Sequence, residues 1–285
     1  MTNYIKYRNE LINIGINALI VRDILIFDDY FKERIFRNKI NFVQGSSKKV
    51  KFNGKYYKFN KTILDDGEIL YVLKSQNNDI IDCIIISIVN KMAYICDIGN
   101  NKGCIKKDKI VDKGGTTLMN ITLKLLKKIK NDHALTYIYL SDTATKTLFD
   151  NVNKNYKVNL SYLLFFTKGY TYYEKFGFAP IIQISNKIKI SNILKHDYLL
   201  EKKRVAKLKM KNINFILLKK NINKKHLYLL KTLLSDKTKE MYIVTIIKYI
   251  ANKKKYYPIL NDVLNFIVKK LNINIPKLWG LSLKS

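Results

Sequence analysis

Between residues 68 and 140 the hydrophobic periodicity changes in an order that few architectures accommodate. Three β-rich runs come first: Glu68–Lys74 (EILYVLK), Asp82–Val89 (DCIIISIV) and Met92–Ile98 (MAYICDI). Only Asn90-Lys91 separates the last two, and a two-residue connection between strands predicts a tight antiparallel hairpin. After Gly114-Gly115-Thr116-Thr117, the residues Leu118, Ile121, Leu125, Leu126 and Ile129 recur at helical spacing, with Lys124, Lys127, Lys128 and Lys130 on the opposite side. Thr116 or Thr117 is placed to cap that helix. Leu135–Leu140 (LTYIYL) returns to strand character and ends at Ser141-Asp142. Strand, glycine turn, helix and strand make a βαβ-like unit appended to an antiparallel meander. The expected class is α/β (α+β), with a mixed, mostly antiparallel sheet and flanking helices.

The flanks are less periodic. Ahead of the meander the pattern predicts a helix over Tyr4–Val21, an amphipathic segment over Asp28–Phe36 and strand pieces at Ile40–Val43 and Tyr56–Phe59, joined by Gly45-Ser46-Ser47 and Asn53-Gly54. Behind Asp142 it predicts helices over Thr143–Phe149 and Leu160–Phe166, strands at Ile181–Ile184 and Ile213–Leu218, and a charged helix near Leu199–Lys209. From Asn221 onward three helices are expected, over Lys224–Leu234, Lys237–Ala251 and Pro258–Leu271. The chain thus divides into a variable N-terminal part (1–65), a core (66–220) and a basic, helical C-terminal extension (221–285).

Charge enters next, because 53 Lys+Arg against 22 Asp+Glu leave a formal charge of +31. Such an excess invites a polyanion partner, since basic side chains neutralise phosphates and release counterions. Only five of the basic residues are Arg (Arg8, Arg22, Arg34, Arg37, Arg204), against 48 Lys and 30 Asn. Lys, Asn, Ile, Tyr and Phe are the products of A/T-rich codons, whereas base readers and phosphate clamps favour the planar fork of Arg. Nucleic acid is therefore a possible partner and not the favoured one. A hydrophobic fraction of 47% excludes wholesale disorder. The longest apolar run, Ile80–Val89, is interrupted by Asp82 and too short to span a bilayer. Cys83, Cys96 and Cys104 form no CxxC pair and find no clustered histidines, so no metal site is expected and all three read as small buried hydrophobes in a reducing compartment. With no secretory h-region after Met1, the expectation is a soluble, intracellular (cytoplasmic) protein that does not engage a membrane.

Two segments carry candidate chemistry. Lys113-Gly114-Gly115-Thr116-Thr117 stands between a strand and a helix, where unencumbered N–H groups and the positive end of the helix dipole favour an anion such as a pyrophosphate. Tyr173-Glu174-Lys175-Phe176-Gly177-Phe178 places a phenol before a glycine turn at the mouth of a strand, where it can donate a proton to a departing thiolate.

In this order the two segments, with the meander and the βαβ unit, make residues 66–220 resemble the GCN5-related N-acetyltransferase family. The resemblance implies an acyl-CoA N-acyltransferase-like fold and direct transfer of an acetyl group from acetyl-CoA, as co-substrate, to an amine-bearing acceptor, either a small molecule or a protein. It further implies that Tyr94–Ile98, including Cys96 and Ile98, presents backbone to the thioester and pantetheine arm, and that Lys113, Gly114, Gly115, Thr116 and Thr117 cradle the pyrophosphate. Leu135–Leu140 would be the adjacent parallel strand, Ile213–Leu218 the closing strand and Tyr173 the general acid. Asp97 is the best-placed carboxylate for a general base, while Glu174 is expected to pair with a lysine and Ser141-Asp142 to cap the next helix. Relative to the family, Asn100–Asp112 and Asp142–Tyr173 are expanded surface connections. The alternative is a non-catalytic protein that keeps this fold as a scaffold, with the basic tail (Lys219, Lys220, Lys224, Lys225, Lys253, Lys254, Lys255) docking on nucleic acid or an acidic protein.

Overall fold

The structure, a computed structural model, describes residues 46–64, 67–76, 81–99, 103–105, 114–152, 154–184, 187–233 and 236–283. The elements expected over Tyr4–Val21, Asp28–Phe36 and Ile40–Val43 lie outside these residues, as does Lys113. The chain forms two compact units: unit 1 comprises Met1–Ser141, Ile181–Ile190 and Gly280–Ser285, and unit 2 comprises Asp142–Pro180 and Ser191–Trp279.

Unit 1 begins with five strands in an antiparallel meander: β1 (Ser47–Phe52), β2 (Lys55–Ile63), β3 (Ile69–Lys74), β4 (Asp82–Val89) and β5 (Met92–Ile98). Two of its turns follow from residue type. Asn53-Gly54 has φ of 47° and 77°, and Asn90-Lys91 has φ of 49° and 64°. Both central residues of each pair are left-handed, the type I′ geometry that matches the twist of the flanking strands. The expected Asn90-Lys91 hairpin is therefore present. Tyr56–Phe59 falls within β2, so that residues 47–63 belong to the sheet.

Helix α1 (Gly114–Ile129) buries Leu118, Ile121, Leu125, Leu126 and Ile129, the stripe its periodicity predicts, together with Met119. It returns the chain to β6 (Tyr137–Ser141), which pairs parallel with β5. Lys128 Nζ donates to the Lys49 carbonyl at 3.0 Å, and Asp132 pairs with Lys48 at 2.8 Å, tying the far end of α1 to the edge strand. The Tyr71 hydroxyl lies 2.8 Å from His133 Nε2. Burial and nearby Lys61 depress the His133 pKa, which keeps the ring neutral beside that hydroxyl.

Unit 2 opens on a second hairpin, β7 (Thr145–Phe149) and β8 (Asn155–Asn159). The helix expected over Thr143–Phe149 is thus corrected to a strand. Asp150 explains why: its carboxylate accepts from the N–H groups of Val152 (3.0 Å) and Lys154 (2.9 Å) and from the Tyr156 hydroxyl (3.1 Å), closing a turn where a helix would continue. α2 (Leu160–Lys168) is capped by Asn159, which accepts from the Tyr162 N–H at 2.9 Å, and is ended by Gly169 at φ 77°. β9 (Ala179–Ile184) is the expected strand at Ile181–Ile184, and β10 (Lys187–Ile190) pairs with it. α3 (Asn192–Ala206) follows its cap Ser191.

The predicted strand Ile213–Leu218 is instead the start of α4 (Phe215–Asn221): Asn214 accepts from the Leu217 N–H at 3.2 Å and nucleates a helix. An apolar run this short satisfies either period, and the cap decides. The tail carries α5 (Leu227–Leu233), a single turn at Asp236–Lys239, α6 (Ile243–Ala251) and α7 (Tyr257–Lys270). It is not helical throughout, because β11 (Leu278–Ser282) joins the sheet. The sheet order is β1-β2-β3-β4-β5-β6-β11-β9-β10, so β11, from the far end of the chain, stands between β6 and β9. Only glycine fits at position 280, where a Cβ would collide with the Ile181 side chain.

Within unit 2, Arg204 grips Glu201 with two N–H···O bonds (2.7 and 2.6 Å) and donates to the Leu271 carbonyl at 3.0 Å, while Glu201 accepts from the Asn274 N–H at 3.1 Å. This bidentate pair fastens the C-terminal turn of α3 to the end of α7, a task for which Lys lacks the fork.

Lys91 holds a left-handed conformation that costs a residue with a Cβ about 1 kcal/mol and glycine nothing. Lys91→Gly is expected to stabilise the protein by about 0.5–1 kcal/mol in urea unfolding. A destabilised variant would show that the Lys91 side chain contributes more than its backbone costs.

Candidate functional site

β5 and β6 start as a parallel pair and then part. Their register runs Met92↔Tyr137, Ala93↔Ile138 and Tyr94↔Tyr139 and stops there, although β5 continues to Ile98 and β6 to Ser141. On its other side β5 stays paired with β4 as far as Ile84↔Ile98, but the register shifts so that Ile86 faces Ile95 and Ile85 faces Asp97. Cys96 is the extra residue of that bulge, and a bulge bends its strand and increases the local twist. The bend falls immediately after the last parallel pair. From Ile95 to Ile98, no residue of β5 is in register with β6, which leaves a gap in the β5–β6 ladder.

α1 follows β5 and precedes β6 in the chain, as the crossover that a parallel pair requires. Gly114 and Gly115 are themselves the first helical residues, which corrects the expectation that Thr116 or Thr117 caps the helix. Both threonines stand inside the first turn. That turn contains no acidic residue. Gly114 is buried and Gly115 half-buried, and neither carries a Cβ beside the orphan N–H groups of that turn.

Direct cross-strand partners share a face. Leu70, Ser87, Tyr94 and Tyr139 are linked partner to partner across β3, β4, β5 and β6, and lie on the face opposite α1. Here the structure adds groups that no sequence motif marks. Buried Glu68 accepts a 2.5 Å bond from the Ser87 hydroxyl, and the Tyr94 and Tyr139 rings sit 4.9 Å apart. Burial raises the Tyr139 pKa, with Cys96 and Glu68 adding to the effect. The half-buried Cys96 thiol points to the Tyr94 carbonyl at 3.7 Å. Asp97 is exposed, yet desolvation by the surrounding chain and the like charge of Asp82 raise its pKa, against an Ile98 N–H that lowers it. Cross-strand pairing alone would reveal the Ser87–Tyr94–Tyr139 row, were the register known.

The cysteines depart from expectation. Cys83 and Cys104 form a disulfide, with Cα atoms 5.4 Å apart, so only Cys96 keeps its thiol outside a disulfide. The Gly99 N–H donates to the Cys83 carbonyl at 2.9 Å and the Gln76 N–H to the Gly103 carbonyl at 3.2 Å, which bring Cys104 back to the start of β4.

Tyr173 belongs to unit 2. It is 9% exposed and lies in edge-on contact with Tyr172 (5.2 Å) and Phe178 (6.2 Å). The next residue shapes the turn: the Glu174 carboxylate accepts from the Thr171 N–H (2.6 Å), the Tyr198 hydroxyl (2.7 Å) and Lys202 Nζ (2.6 Å). Lys202 is the expected lysine partner, and Glu174 is thereby committed to structure. Gly177 at φ 85° then releases the chain toward β9. Asp142 also differs from its expected role. No helix follows it; its carboxylate accepts from the Ser161 hydroxyl and, at 3.4 Å, from the Ala144 N–H.

No family model matches the chain, and neither a curated protein nor a solved structure is similar to it. No helix among the described residues is long and apolar enough to cross a membrane.

Burial raises the Asp142 carboxyl from 3.8 to about 6, against the Ser161 and Ala144 bonds that lower it. A raised native pKa means that the folded state holds the proton longer, so stability falls as pH rises from about 4 to about 6 and is level above. Asp142→Asn keeps an acceptor for Ser161 without the charge. It should flatten that slope and gain at most about 3 kcal/mol above pH 6, with no gain below pH 4. Thermal melts at several pH values test this; a difference independent of pH would remove the assignment.

Proposed function

We propose that this protein is an acetyl-CoA-dependent N-acetyltransferase of the kind its sequence resembles, transferring an acetyl group directly to an amine. The observation that supports it best is the parallel β5–β6 pair that opens after Tyr94 and Tyr139 beside a glycine-led helix start.

An amide-containing arm entering that gap would add to β5 as a short extra strand, exchanging hydrogen bonds with Ile95–Ile98 that β6 does not provide. Gly114, Gly115 and Thr116 would offer first-turn N–H groups to the pyrophosphate. Acetyl-CoA supplies the activated acyl carbon when bound. In the transfer, a C–N bond forms at that carbon and its C–S bond breaks. Asp97 accepts the amine proton, directly or through water, and its raised pKa suits a base of that kind. By the sequence resemblance, Tyr173 is the residue that would donate a proton to the departing thiolate sulfur. Direct transfer requires no acyl-enzyme, and Cys96 is given no role as a nucleophile.

Calorimetric titration with CoA and acetyl-CoA is expected to show one site. Gly115→Asp, which puts a carboxylate where the pyrophosphate would sit, should weaken binding at least about tenfold. Tyr173→Phe should leave CoA binding intact and lower turnover on the best amine acceptor by about a hundredfold or more. Absence of CoA binding by the full chain would end the acetyltransferase reading.

A further inference from the structure

Residues 46–64 contain six lysines, Lys48, Lys49, Lys51, Lys55, Lys58 and Lys61, and no Asp or Glu. The register of β1 and β2 sorts them. Val50, Tyr57 and Phe59 point inward and are 4% exposed or less, and Lys48, which is opposite Phe59, pairs with Asp132 on that side. The outward face is built from three cross-strand rows: Ser47 beside Asn60, Lys49 beside Lys58, and Lys51 beside Tyr56. Every one of these six side chains is exposed.

Two features of the rows point to a ligand. Lys49 and Lys58 are directly opposed, an arrangement that destabilises a strand pair when nothing lies between the charges. Tyr56 turns its ring outward, 55% exposed, with Lys51 Nζ 5.7 Å from the centroid. Alternate residues of a strand are about 6.8 Å apart, comparable with the spacing of successive phosphates in an extended polynucleotide. An aromatic platform flanked by cations is the equipment of proteins that hold single-stranded nucleic acid through its phosphates while a base stacks on a ring. An acidic polypeptide would use the lysines and leave Tyr56 idle.

We infer that the outward face of the β1–β2 hairpin binds single-stranded nucleic acid, through phosphate contacts from Lys49, Lys51 and Lys58 and stacking on Tyr56. With no arginine on this face to read base edges, the binding is independent of sequence. The site uses no residue of the β5–β6 gap or of the basic tail, and holds whether or not the chain binds acetyl-CoA.

Fluorescence anisotropy of a labelled thymidine oligomer against the full chain tests it over a range of salt. The wild type is expected to bind, with affinity falling steeply as salt rises. The Lys49→Gln/Lys58→Gln pair should bind more weakly and lower the salt slope by about 0.7 for each phosphate no longer engaged, while its melting temperature stays level or rises because the opposed charges are gone. Tyr56→Ala should weaken binding roughly five- to 150-fold, and Tyr56→Phe should bind like wild type. No binding at low salt would overturn the inference. So would affinities that ignore the lysine substitutions, or displacement by polyglutamate together with a silent Tyr56→Ala, which would mark an acidic protein as the partner.

Discussion

The architecture of unit 1 turns on how short the parallel contact between β5 and β6 is. Its beginning is held firmly: the Thr136 N–H donates to the Lys91 carbonyl at 2.9 Å, and the Leu283 N–H donates to the Thr136 carbonyl at the same distance. The start of β6 is thus fixed at the turn that opens β5. Three pairs form, Met92–Tyr94 with Tyr137–Tyr139, and the ladder ends two residues before the bulge at Cys96. A parallel pair needs a crossover, and α1 is that crossover.

Unit 2 depends in the same way on a carboxylate. Glu174 lies partly buried, where an unpaired charge would be costly, and it meets an N–H, a phenol and an ammonium at 2.6–2.7 Å. Burial and this carboxylate push the Tyr198 pKa upward, and Tyr198 in turn packs edge-on against the fully buried Trp279. The turn that presents Tyr173 is consequently braced against α3. A side chain so engaged is a poor base, and its contribution to any chemistry is to hold its neighbour.

Legibility in the sequence follows the range of the forces involved. α1, α2 and the Asn90-Lys91 hairpin are readable because periodicity, capping and left-handed turns are decided within a few residues. Thr145–Phe149 and Phe215–Leu218 mislead a reading by period, because a single turn-forming or capping side chain, Asp150 or Asn214, outweighs a weak pattern. β11 is invisible, since Leu278–Ser282 becomes a strand only by reaching a sheet built far earlier in the chain. The same limit applies to the site. Gly114, Gly115 and Tyr173 carry local signatures, whereas the Cys96 bulge, the Glu68–Ser87 bond and the Cys83–Cys104 disulfide exist only once register has brought distant residues side by side.

Net charge must be read through this structure as well. The carboxylates in described positions are largely committed: Asp132 to Lys48, Glu174 to Lys202, Glu201 to Arg204, Glu240 to Lys209 and Lys211, Asp150 to its own turn. Acids therefore serve as anchors while lysines populate the surface. At physiological salt a charge is felt over about 8 Å, so a ligand meets the local arrangement and not the sum of +31. Strand register determines that Lys49 faces Lys58 beside an exposed Tyr56, with no acid among residues 46–64 to offset them, and it is this placement that distinguishes the β1–β2 hairpin from a merely soluble surface.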